Sequence, residues 1–390
     1  MAAKSPSRPT PPAKDTAATP STSPTTAPLP QSGRTAAEWQ ELLARLAPEG
    51  YEAKHPGRIA KLADLLVLHA GDPGWEAGTL SYLLSDAPTE ARLDLWIRCA
   101  EALPANPAIS EALVRAILNR TEGRSDLDAL LLAQTARMPE DPFLLWVRSA
   151  VGFRKSRPEE ALALLAAAAD LPAWKDWSLE AALRADEVKE AIEGPLGPVQ
   201  RYLSASQAAS SSTRLFFLLR GAPRFALAQA EAIGAGDPAR VRGILQSAAH
   251  MGRALSQGAR GSREAEIGLK AEYEVLSTLK RLARDSGETA VAEEASLRLA
   301  HIEAERAALH VWTRKRFHEF ERRLRSFQGL RQLERGLDTP GIPMEDQIRA
   351  LENLLTAEDA AYLRALSAET GREMTVYRST QPPPAAPSSP

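Results

Sequence analysis

The residues best suited to chemistry here are histidines, a lone cysteine, adjacent carboxylates and a basic stretch, and spacing decides what each can do. His301, His310 and His318 lie nine and eight residues apart. Two metal ligands on one helix need a spacing of three or four, so these three predict no metal site. His55 and His69 have no ligand partner at helical spacing either. Glu159-Glu160 and Glu293-Glu294 are adjacent carboxylates on helical stretches. Neighbours on a helix point in different directions, so these pairs solvate instead of sharing a proton. Cys99 sits in Leu95-Trp96-Ile97-Arg98-Cys99-Ala100, a helical setting with no histidine close in sequence to activate a thiol. It reads as a small buried apolar residue. The glycine-rich phosphate loop, the HExxH and Cys-x-x-Cys patterns and the Gly-x-Ser-x-Gly elbow are all missing. We therefore expect no catalytic residue, no metal ligand and no cofactor, and read the chain as a non-enzyme.

One stretch stands out by charge. Between Trp312 and Arg335 there are eight Lys or Arg against three Glu, interleaved with Trp312, Phe317, Phe320 and Phe327. Such a helix can lie on nucleic-acid phosphates, with Arg314, Lys315, Arg322, Arg323 and Arg325 as the contacts. The competing reading is internal. Asp338, Glu345, Asp346, Glu352 and Glu358 follow with only Arg349 opposing them, so a C-terminal acidic hairpin could fold back on the basic face.

The elements that position these residues are helical throughout, because nothing alternates with period two for more than a few residues. Asp72-Pro73, Asn106-Pro107 and Asp141-Pro142 lie 34 and 35 residues apart, and Asp176 follows after another 35. Each is a helix start: the Asp or Asn accepts from free N–H groups, and proline sits where its missing N–H costs nothing. Leu103-Pro104, Met138-Pro139 and Leu171-Pro172 close apolar helical stretches in step with them. Counted back from those prolines, Leu93, Ile97 and Ala100 align with Ala129, Ala133 and Ala136 and with Ala161, Leu165 and Ala168. A period near 34 built from two short helices predicts a helical-hairpin array.

This pattern resembles the tetratricopeptide repeat over about residues 72–177. Small residues recur in the second helices before a proline, and Trp75, Gly78-Thr79 and Tyr82 match the order seen in that family's first helix. Later repeats depart from it, with Ile109 and Phe143 near the Trp position and no Tyr following. The resemblance implies a groove lined by first-helix residues that holds a partner segment. Those positions are Glu76, Leu80, Leu83, Ser110, Val114, Ile117, Leu145, Ser149 and Phe153. The set is mostly apolar, so an open groove would take an apolar or amphipathic segment of another protein; the alternative is that the chain's own helices fill it.

Composition bounds the rest. The chain has 390 residues, 44% hydrophobic, 5% aromatic, with a formal net charge of −2, so no whole-molecule field selects nucleic acid or an acidic membrane. Residues 1–34 are rich in Pro, Ser and Thr and read as a disordered tail, as does 379–390. Between them we expect a hairpin-repeat domain at 35–192, a second helical region at 193–336 and an acidic hairpin at 337–378. A break is expected over 194–213, Ser262 is expected to cap a helix, and one long helix should run from about Glu288 to Phe327. No stretch approaches the length of a membrane span. The reading is all-α and cytoplasmic, with envelope anchoring as the alternative if an upstream segment exists. Its function reads as a scaffold or adaptor for another protein, or else as association with nucleic acid through 312–335.

Overall fold

Side-chain caps start several helices, and long-range packing decides where they lie. The computed structural model describes residues 33–119, 127–172, 174–326, 343–370 and 373–380, and every regular element within them is helical. α1 (Ala36–Leu46) opens on a capping box: Thr35 Oγ1 accepts from the Glu38 N–H, and the Glu38 carboxylate accepts from the Thr35 N–H at 2.7 Å. It buries Trp39, Leu42, Leu43 and Leu46, an i, i+3, i+4, i+7 stripe readable in the sequence. A single turn, α2 (Tyr51–Lys54), precedes α3 (Arg58–Leu68).

The Asp/Asn-Pro joints act as caps. Asp72 Oδ1 accepts from the Gly74 and Trp75 N–H groups at the head of α4 (Pro73–Leu84). After α5 (Thr89–Ala102), Asn106 Oδ1 accepts from Ile109 at the head of α6 (Pro107–Asn119). After α7 (Leu127–Arg137), Asp141 Oδ1 does the same for Phe143 and Leu144 in α8 (Pro142–Arg154). α9 (Pro158–Ala169) leads to Asp176, which caps α10 (Trp177–Glu193) through the Ser178 N–H.

The expected break at 194–213 is corrected. Only residues 194–197 interrupt the chain, and α11 (Pro198–Ile233) then runs for 36 residues as one helix, enclosing Ser210-Ser211-Ser212. No separate hairpin arm begins at Arg214. α11 packs on α8 and α10, and this tertiary contact overrides the weak helix preference of the serines. A 3-10 turn (Gly234–Gly236) and Asp237, which accepts from the Arg240 N–H, start α12 (Pro238–Gly258). α13 (Ser262–Asp285) has Gly261, not Ser262, at its cap. Ser262 is the first helical residue, and its N–H and hydroxyl donate to Glu373 at 2.8 and 3.0 Å. α14 (Thr289–Ser326) is the expected long helix. α15 (Met344–Glu352), α16 (Ala357–Thr370) and α17 (Glu373–Thr380) complete the chain, the last carrying helix to residue 380.

α12 and α13 meet backbone to backbone: a Cβ on Gly252 would come within 2.6 Å of the Glu272 nitrogen. α11 touches both of them and α16. Buried apolar side chains form one continuous cluster from Trp39 to Tyr377. A small second cluster of Val199, Leu351 and Leu363 fixes α15 and α16 to the head of α11.

One expected register is corrected. Leu93, Ala100, Ala161, Leu165 and Ala168 are buried, but Ala129, Ala133 and Ala136 on α7 are exposed. The buried residues of α7 are Leu131, Gln134 and Thr135. Thr135 lies four residues before its closing proline, as Ala100 and Ala168 do before theirs. The alanines had been aligned one residue out of step.

Candidate functional site

The residues that carried the family resemblance hold a helix of the same chain. Trp75 stacks on His69 with ring centroids 3.6 Å apart and lies beneath the Arg184 guanidinium of α10. A Cβ on Gly78 would sit 2.5 Å from Arg184 Cβ and 2.8 Å from the Ala185 nitrogen, so only glycine lets α10 approach this closely. The Tyr82 hydroxyl donates to Glu193 at 2.8 Å, and Arg58 bonds both at 2.8 and 3.0 Å.

All nine expected groove residues are buried: Glu76, Leu80, Leu83, Ser110, Val114, Ile117, Leu145, Ser149 and Phe153. Their polar members are satisfied internally. Glu76 accepts from Asn106 Nδ2 at 2.6 Å, Ser110 from Gln134 Nε2 at 2.6 Å, and Ser149 donates to the Ala161 carbonyl at 2.8 Å. Phe153 stacks on Phe225 of α11. These residues do not line an open groove. With α10 packed on α4 and α6, and α11 on α8, the chain itself occupies the space beside the first helices.

Glu111 holds α10 in that place. It is buried, accepts from Trp174 Nε1 at 2.7 Å, and takes the N–H groups of Trp177 and Ser178 at 3.1 and 3.0 Å. Two carboxylates, Glu111 and Asp176, thus share the positive end of the α10 dipole. Burial, then the Asp176 charge, pushes the Glu111 carboxyl well up, against the pull of Arg115. Sequence reasoning passed over Glu111 because nothing local marks it: its partners lie more than 60 residues away.

Glu272 had a legible signal. It falls between Leu269 and Leu276 on the apolar stripe of α13, where a carboxylate needs a partner. Fully buried, it accepts two bonds from Arg298 at 2.8 Å and one from Arg253 at 2.9 Å. Both guanidiniums line a cavity of about 250 Å³ with Gln246, His250 and Glu294. Burial and Arg253 hold the His250 imidazole below its ordinary pKa. Cys99 is buried too, and burial pushes its thiol up to about 12, so it is no nucleophile near neutral pH.

The basic helix is partly engaged. Arg316 pairs with Glu369 at 2.6 Å and lies over the Trp312 ring, which meets Tyr377 edge-on. The acidic partner therefore comes from α16; Glu352 instead meets the head of α11 through the Gln200 N–H. Arg314, Lys315 and Arg322 are exposed, as is Phe317 (56%). The side chains of Arg323 and Arg325 lie outside the described residues. Among the described residues no helix is long and apolar enough to cross a membrane, and no three His, Cys, Asp or Glu cluster as a metal site would require.

The outward face of α7 is apolar, while its inward face mixes Leu131 with two polar residues. Leu132 (54% exposed), Ala129, Ala133 and Ala136 form an i, i+3, i+4, i+7 stripe facing solvent, while Gln134 and Thr135 turn inward. Gln134 bonds Ser110, and Thr135 Oγ1 donates to the Leu131 carbonyl at 2.7 Å. Comparison with protein-family models, with curated proteins and with solved structures found no match to this chain.

Proposed function

We propose that the protein is a non-catalytic scaffold of helical-repeat type that binds an apolar or amphipathic segment of another protein, and that the segment docks on the outward face of α7. The observation that carries this reading is the exposed apolar stripe of that helix. Ordinary surface helices bury their apolar stripe. Here the Leu132 and alanine stripe is exposed, while the Gln134 bond to Ser110 and the burial of Leu131 hold the helix with that stripe outward. An apolar helix face of this kind suits the helix-packing mode of recognition. The test is a pull-down from native extract with the full chain and with Leu132→Glu. Leu132 is half exposed, so the variant keeps its fold and its circular dichroism. We expect retention of a specific protein to fall at least tenfold. Equal retention by both chains sinks the reading.

The exposed Arg314, Lys315 and Arg322 support a second reading, contact with nucleic-acid phosphates. Nuclease treatment in the same experiment separates the two. Retention that nuclease abolishes and Leu132→Glu leaves intact favours the basic helix.

A further inference from the structure

α14 turns one face to α13 through Ala292, Ala295, Leu299 and Ile302, all buried. Its opposite face is open for most of its length. Leu297 (75% exposed), Ala300, Ala304, Ala307 and Val311 (67% exposed) follow one another in steps of three and four, the stride of a seam between two helices. Leucine and valine at this exposure are unusual in company, and the alanines between them leave room for a second helix to come close.

Charge identifies the occupant. Glu293 lies just before the apolar stretch and Arg314 and Lys315 just after it, all three exposed, whereas Glu294 turns away towards the cavity it shares with Arg298. The face is its own complement about Ala304. Leu297 and Val311 lie seven residues to either side, and Glu293 and Lys315 lie eleven residues to either side. We propose that two copies of the chain pair antiparallel through this face of α14, about a two-fold axis near Ala304. Antiparallel pairing sets Leu297 against the partner's Val311 and Glu293 against the partner's Lys315, with Arg314 beside it. Parallel pairing opposes like charges at both ends, so the orientation is fixed by charge. A two-fold contact of this kind uses the same patch on both copies and closes. The inference is independent of the α7 reading, because none of its residues lies on that helix.

The test uses the full chain in sedimentation equilibrium, with two charge-reversed variants, Glu293→Lys and Lys315→Glu. Both positions are exposed, so folding is unaffected and circular dichroism confirms it. We expect the natural chain to dimerise, each variant alone to dimerise at least tenfold more weakly, and an equimolar mixture of the two to recover the natural affinity. Cysteine cross-linking reads the orientation. Ala304→Cys should give a disulfide-linked dimer on oxidation. Ala290→Cys should not, because the antiparallel arrangement places its two copies about 42 Å apart at 1.5 Å rise per residue. Cys99 is buried and gives no background. A strictly monomeric natural chain overturns the proposal, as does a mixture that fails to recover or efficient cross-linking through residue 290.

Discussion

A carboxylate that caps a helix while losing its solvent is pulled two ways. At Asp141 burial raises the pKa, the Phe143 and Leu144 N–H groups lower it, and burial wins, leaving the group at about 6 against an ordinary 3.8. The folded state then holds a proton that the unfolded chain releases between those values. Stability from this source is complete below about pH 4 and is lost as pH rises through 6. The buried Glu111 carboxyl, also raised, acts in the same direction. Asp141→Asn keeps an oxygen for the cap and removes the charge. Thermal melts should show it more stable than the natural chain at pH 7.5 and equal to it at pH 4. Asp141→Ala loses the cap itself and should lie about 1 kcal/mol below Asp141→Asn at both pH values. If the Asn and Ala variants fall together at pH 7.5, burial does not govern this carboxylate.

Helix placement, unlike capping, rests on contacts far apart in sequence, and this divides what the chain declares from what it conceals. The Asp/Asn-Pro starts and the stripes of α1, α13 and α14 were legible, because a cap or an i, i+3, i+4 pattern is local. The run Ser210-Ser211-Ser212 misled, because its helix is held by neighbours and not by its own preference. The groove residues are legible as mostly apolar, but whether the chain's own helices cover them is not. Their cover depends on Gly78 admitting α10 from more than 100 residues downstream. The α7 register failed because its alanines outnumber the cues that orient them, and burial of Gln134 and Thr135 needs Ser110 and the Leu131 carbonyl as partners. A paired substitution tests that register. Ala133→Lys, on the exposed side, should change stability by no more than about 0.5 kcal/mol. Ala100→Lys places a charge where no surface is exposed and should prevent folding. Equal loss in both would mean that α7 faces inward through its alanines.

At the scale of the molecule, the continuous core argues that the hairpin segment and the long helices fold together. The apolar cluster crosses residue 193 without interruption, joining Phe153 to Leu219 and Leu255 in one body. α8 rests on α11 and α9 on α12, so a fragment ending at residue 192 exposes the apolar surfaces those helices now cover. The chain supplies its own probes. Six of its seven tryptophans precede residue 193, so fluorescence reports the first part, whereas far-ultraviolet circular dichroism reports all the helices. If the two parts shared only a linker, denaturant would unfold them separately and the two signals would have different midpoints. A shared core instead couples them, and coincident transitions are the signature of cooperative unfolding. We expect the urea midpoints from fluorescence and circular dichroism to coincide in the full chain, and residues 35–192 alone to show no cooperative transition and to bind a hydrophobic dye. Separate midpoints, or a fragment that melts as sharply as the full chain, would show that the interface between α8 and α11 adds little to the stability of either side.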